Sequence, residues 1–312
     1  MVPKIRIASL CPSATETAYA LGLGSSIAGV SHQCDYPAET AKLPKLTSSW
    51  IADQGDSRAI SERVQANKER WGTIYDVDEE ILAELKPDII LTQQVCKVCA
   101  FPADAALEVA GRKLRDCKVI PFTANRLQDI LASIRLLAET AGIPKRGETL
   151  ASEMAETVAS IKGRASKVEP KKSFVMEWIE PLRNAGHWIP ELVEAAGGRE
   201  ELANWDGKTS VSWEQVLDFS PEVVLISPCG FDIRRTLQEI HKVTSRPGWS
   251  ELPAARNGSV FIGNGKVITR YAPRIKEVIE GLAHILHPEL FPRLPDPTLF
   301  SSLFRMGLGG FK

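Results

Sequence analysis

The chain has 312 residues, 44% of them hydrophobic and 25% charged, an ordinary balance for a globular protein and long enough to build more than one core. Its 38 Lys and Arg against 39 Asp and Glu leave a net charge of −1 with no basic block, which speaks against nucleic acid as a partner. No apolar run approaches the roughly 18 residues that a membrane-spanning helix needs.

In chain order, IRIASL (5–10) reads as a short buried strand rich in β-branched residues. SATETAYALGLG follows as a helix, with Ser13 and Glu16 at capping-box spacing and Gly22 and Gly24 as its stop. A strand at 27–31 leads into a polar connection from about 36 to 75, whose segment 47–75 is longer than ordinary connections and so an ordered lid or a mobile loop, a sign of function or disorder. Next come a helix over 77–86, Pro87, a strand over 88–93, a helix over 103–114 and a strand over 118–122. Alternation of this kind predicts a mostly parallel sheet covered by helices. From about Leu127 to Lys167 helical periodicity runs on either side of Ile143-Pro144, as a long helix or helix pair. The second half adds strands at 172–179, 222–227 and 259–263, helices at 190–198, 212–219 and 232–242, and a final helix from about Pro273 to Leu286. The expected fold class is α/β: two lobes with mostly parallel sheets joined by a long backbone helix. The expected divisions are 1–125, 126–168 and 169–292, with an extended tail at 293–312.

The halves echo each other. ILAELKPDIILTQQVC (81–96) and QVLDFSPEVVLISPC (215–229) share an apolar helix end, Pro, an acid, a β-branched run and Cys. Ligands of open α/β sheets collect outside the carboxyl ends of the strands. Cys34, Cys96, Cys99 and Cys229 all follow predicted strands, so their thiols are a candidate metal set for zinc or an iron–sulfur cluster. Cys96 and Cys99 form Cys-x-x-Cys, which also suits a redox dithiol or two small buried hydrophobes. Cys11 reads as a packed turn residue or a fifth thiol at the rim, and Cys117 as structural.

His32 and His187 are candidate ligand contacts, because imidazole can occupy an axial position on cobalt or iron. By strand alternation His32 would share a side with Cys34. Glu177 could accept hydrogen bonds from ligand amides, act as a general acid/base, or merely cap a turn. Of the seven tryptophans, Trp50, Trp178 and Trp188 fall in loops suited to walling a flat macrocycle, while Trp213 and Trp249 fit helix–sheet gaps. There is no dinucleotide fingerprint, P-loop, nucleophile elbow or H-E-x-x-H, so binding is expected rather than catalysis. The start MVPKIRIASLCPS shows no secretory leader, so a cytoplasmic chain with reduced thiols is expected, periplasmic only if a leader has been trimmed.

RIASLCPSATETAYALGLG, KPDIILTQ, RPGWSELPAARNGSVFIGNG and YAPRIKEVIEGLAHILHPEL resemble the helical-backbone (class III) substrate-binding proteins of cobalamin, siderophore and haem import. CDYP, TQQVCKVCA, MEWIEP, AGHWIPELVEAAGG and PCGF are similar to a leaderless subgroup labelled cobalamin-binding. The resemblance spans roughly residues 5–292. It implies a ligand held between the lobes, a corrinoid such as cobalamin or another tetrapyrrole. The chemistry of the thiols suggests instead an iron–sulfur cluster or zinc in an intracellular metalloprotein or enzyme. A third expectation is a conventional ABC importer component; the missing leader and lipidation cysteine argue against docking on an ABC permease.

Overall fold

A computed structural model describes residues 5–51, 55–94, 101–114, 116–203 and 210–304. The chain divides into two compact units, one of Met1–Gln54 and Glu62–Met154, the other of Gly55–Ser61 and Ala155–Lys312.

The first unit contains β1 (Ile7–Ser9), β2 (Ile27–Val30), β3 (Thr47–Ser49), β4 (Tyr75–Val77), β5 (Ile89–Gln93) and β6 (Lys118–Phe122). Four of these form an all-parallel sheet in the order β2-β1-β5-β6, and β3 pairs antiparallel with β4. The parallel strands are short apolar runs because helices cover both faces: Ala8, Ile90 and Leu91 are fully buried. Ala8, Leu10, Leu46, Leu82, Ile90 and Phe101 share one core.

Two local expectations change. Helix Pro12–Ala20 starts with Pro12 in its first turn and Cys11 as N-cap, with no side-chain cap bond. Ser13 and Glu16 therefore lie inside the helix and are buried, and the expected capping box does not form. The polar connection 36–75 holds β3 and the 15-residue helix Ser57–Trp71. Of that helix only Ser57 is buried, so it has no apolar stripe by which its periodicity could be read.

The helix Pro144–Ala165, 22 residues long, carries the chain from the first unit into the second. The second unit contains β7 (Lys171–Trp178), β8 (Arg183–Asn184), β9 (Gly198–Arg199), β10 (Val223–Ile226), β11 (Val260–Gly263) and β12 (Phe300–Ser302). The sheet order is β12-β11-β10-β7-β8, with β9 also pairing β7. Strands β7, β10 and β11 run parallel, while β8 and β12 are antiparallel to their neighbours. Phe174, Met176, Val224, Ile226, Trp249 and Ile262 fill its core. Trp213 stacks on Trp249 at 6.1 Å between ring centres.

The internal echo is a shared construction. Helices Glu79–Leu85 and Trp213–Phe219 both end on a left-handed residue, Lys86 (φ 45°) and Ser220 (φ 54°), each followed by proline. The acid after each proline then accepts a backbone N–H at the start of the neighbouring strand, from Arg6 just before β1 and from Lys172 in β7. Asp88 Oδ2 takes Arg6 N–H at 2.7 Å, and Glu222 Oε2 takes Lys172 N–H at 2.9 Å. Among the described residues no helix is long and apolar enough to cross a membrane.

Candidate functional site

In the first unit the turns leaving β1 and β2 meet over helix Pro12–Ala20. Thr15 Oγ1 lies 2.8 Å from Ser9 Oγ and 3.1 Å from Cys34 Sγ, so the buried thiol is tied to the helix. The Cys34 carbonyl accepts from Thr40 Oγ1 at 3.1 Å and Lys45 Nζ at 3.3 Å. Burial, then the nearby Glu39 and Cys34, push the Tyr19 hydroxyl above its ordinary pKa.

His32 and Cys34 part company. Strand β2 ends at Val30, so alternation stops before either residue. His32 turns toward the β3–β4 pair: its Nδ1 is 2.8 Å from Thr47 Oγ1 and its ring 5.7 Å from Tyr75. The same pair carries Trp50, whose N–H donates to the Ile74 carbonyl at 3.0 Å. Trp50 is 43% exposed and meets Trp71, 55% exposed, edge to face at 5.7 Å. Trp71 was countable in the sequence but not assignable, because its helix carries no apolar pattern that would show which side it presents.

In the second unit, β7 ends in Glu177 and Trp178, both half-buried. Trp178 Nε1 donates to the Glu180 carbonyl at 2.9 Å and lies 3.2 Å from the Ser57 carbonyl; its ring is 5.1 Å from Phe231. The turn after β10 is stitched to β7 by Cys229 N–H donating to the Glu177 carbonyl at 3.0 Å. Cys229 Sγ accepts from Thr269 Oγ1 at 3.4 Å.

His187 adopts φ 57°, a left-handed conformation that a side chain bearing Cβ takes up at some cost. Burial lowers its pKa, so the ring is a neutral imidazole at neutral pH. It stacks near Trp188 at 6.3 Å, and Trp188 meets Tyr271 edge to face at 5.3 Å. Trp188 is only 4% exposed, yet its Nε1 has no hydrogen-bond partner among the described residues. Tyr271 and Phe231 escaped selection in the sequence. Both lay in segments that carried the resemblance, Phe231 in PCGF and Tyr271 at the start of YAPRIKEVIEGLAHILHPEL, but Tyr271 sits outside any strand-end pattern.

Of the proposed thiol set, Cys34 sits in the first unit and Cys229 in the second, while Cys96 and Cys99 fall outside the described residues. Among the described residues no group of three or more His, Cys, Asp and Glu side chains could hold a metal ion. Cys11 is buried at a helix start, and burial, then Asp88, push the Cys117 thiol up to about 11.

A family model described as periplasmic binding protein matches residues 7–266. An uncharacterized ABC transporter substrate-binding lipoprotein of Bacillus subtilis, YvrC, is 26% identical over 295 residues, covering 92% of this chain and 81% of that one. The vitamin B12-binding protein of Vibrio parahaemolyticus is 28% identical over 291 residues, 90% of each chain. Among solved structures, the periplasmic heme-binding protein RhuT from Roseiflexus sp. RS-1, in apo form, matches with a TM-score of 0.66 at 21% identity, covering 92% of this chain and 100% of that one. The α/β fold with parallel sheets is thus the fold of these proteins. The expectation of a cytoplasmic protein is corrected: it rested on the first residues alone, and the matched family, described as periplasmic, and a relative described as a lipoprotein point to an extracytoplasmic setting. The chain belongs to the periplasmic binding protein family.

Proposed function

We propose that this chain is the substrate-binding component of an ABC importer and that its cargo is a metal-bearing macrocycle, a corrinoid or another tetrapyrrole. The observation that carries this reading is the aromatic group His187–Trp188–Tyr271. The half-buried His187 ring is backed by the buried Trp188 and Tyr271 rings, a rigid aromatic support against which a flat ring can bury area. The neutral His187 ring offers a lone pair to a cargo metal. In this reading each unit offers its own strand-end surface to the cargo: His32 and Trp50 on the first, Glu177, Trp178 and His187 on the second, with Trp188 buried behind His187. The names of the relatives, vitamin B12-binding and heme-binding, support a macrocycle rather than an iron–sulfur cluster or zinc held by Cys34, Cys96, Cys99 and Cys229.

Titration of the purified chain with cyanocobalamin and with hemin, followed by absorption spectroscopy, tests the reading. Saturable binding of one macrocycle at about micromolar Kd or tighter is expected. Trp188→Ala should weaken it at least about tenfold, a loss of roughly 1.4 kcal/mol. A folded chain that binds neither macrocycle, or one that carries iron and sulfide after anaerobic purification, would sink it.

A further inference from the structure

Gly55–Ser61 belongs to the second unit, although the chain before and after it belongs to the first. Among the contacts that fasten this segment is one buried carboxylate. Ser57 N–H donates to both oxygens of Glu239, at 3.0 and 2.8 Å, and Ser57 Oγ donates to Oε2 at 2.7 Å. Ser57 is fully buried and Glu239 is 3% exposed. The contact stands at the start of helix Ser57–Trp71, where unsatisfied N–H groups and the helix dipole favour an anion. Burial alone would raise the Glu239 pKa, but the Ser57 N–H and hydroxyl and the Arg235 guanidinium hold it below its ordinary value.

The partners of Glu239 converge on a single aromatic pair. The Ser57 carbonyl lies 3.2 Å from Trp178 Nε1. Arg235 Nη2 donates to Glu239 Oε1 at 2.6 Å and to the Gly55 carbonyl at 2.7 Å. The same guanidinium lies 4.3 Å over the ring of Phe231, which in turn packs against Trp178. Lys242 adds a second tie, bridging Asp56 at 2.7 Å and Glu180 at 2.9 Å, and the Glu180 carbonyl accepts from Trp178 Nε1. We infer that Glu239 is a positioning residue for ligand binding, acting through Ser57 and Arg235 to fix the Trp178–Phe231 wall of the second unit. The inference rests on the reading above that Trp178 faces the cargo.

A carboxylate that merely glued two segments together would affect stability and leave the orientation of one indole alone. The test is therefore made on the full chain labelled with 15N at the tryptophan indoles. The Trp178 resonance is assigned by its loss in Trp178→Phe. In ligand-free Glu239→Ala this resonance should shift, and affinity for the macrocycle that the wild type binds should fall about tenfold. Because both changes act on one wall, adding Trp178→Phe to Glu239→Ala should cost little more than either alone. Glu239→Gln keeps an acceptor for Ser57 while losing the charge, so an intermediate loss is expected, and it serves if Glu239→Ala does not fold. An unmoved Trp178 resonance overturns the inference, as does a moved one with unchanged affinity. If the wild type binds neither cyanocobalamin nor hemin, the proposed function fails by itself, and the ligand-free spectrum still decides whether Glu239 positions Trp178.

Discussion

Glu200 illustrates what single side chains do in the second unit. Strand β7 has β8 and β9 along the same edge, pairing at Met176–Trp178 and at Lys171–Lys172. Between these short pairings the Val175 N–H needs an acceptor, and Glu200 Oε2 supplies it at 2.9 Å while Oε1 takes Leu202 N–H at 3.2 Å. The side chain thus replaces a stretch of strand. Burial pushes the Glu200 carboxyl up to about 8, against the lowering effect of these N–H groups. Folding therefore favours the protonated form, and stability is lost as pH rises from the ordinary carboxylate range toward 8. The contribution of this group should fall by up to about 1.4 kcal/mol per pH unit across that window. Urea unfolding at pH 5 and pH 8 measures it, and Glu200→Gln should flatten the slope; an equally steep slope in the variant would assign the effect elsewhere. Nothing in the pattern around Glu200 could have revealed this, since its role depends on a gap between two strands of two residues each.

At the scale of elements, the long buried runs were readable and the short or polar pieces were not. Strands β5, β6, β7, β10 and β11 sit where apolar runs predict them; β5 and β10 are buried throughout, and a strand covered on both faces leaves an uninterrupted apolar signature. Strands β8 and β9 are too short for any period, and helix Ser57–Trp71 buries only Ser57 fully, with Val64 half-buried against the first unit's core, too little for an apolar stripe to show in the sequence. Close approach of two strand-end turns was equally hidden. Gly265 donates its N–H to the Phe231 carbonyl at 2.7 Å, and a Cβ added there would meet the Pro228 carbonyl oxygen at 1.9 Å. Since that neighbour is backbone, it cannot rotate away. Gly265→Ala should displace the turn 228–231 and cost about 1–3 kcal/mol, as overpacking does. Thermal unfolding gives the cost. Binding titration should show a parallel loss of affinity, because Phe231 moves with the turn, and a variant as stable as the wild type would remove the close approach from the account.

For the molecule as a whole, family and fold were legible because they are spread over most of the chain. The site was legible only in part: the resemblance and the aromatic content directed attention to Trp178, His187 and Trp188, but the partners that orient them come from distant sequence. Trp188 meets Tyr271 and Trp178 meets Phe231, pairings that no local pattern encodes. Cargo binding should register globally. A macrocycle present at a hundredfold excess over its Kd raises the unfolding free energy by about 2.7 kcal/mol, enough to lift the midpoint of melting by roughly 5 °C. Differential scanning calorimetry with and without cyanocobalamin or hemin checks this, and a midpoint indifferent to both ligands contradicts the reading.

The fastening of Gly55–Ser61 has a consequence for anyone cutting or recombining this chain. The second unit is not one uninterrupted stretch of the gene: an excised fragment beginning at Ala155 would leave Glu239, Arg235 and Lys242 facing solvent without Ser57, Gly55 and Asp56. Chimaeras that exchange this unit between relatives must therefore graft two pieces, the seven residues and the long stretch, as a matched set. A junction drawn by sequence continuity alone would split the lock from its key.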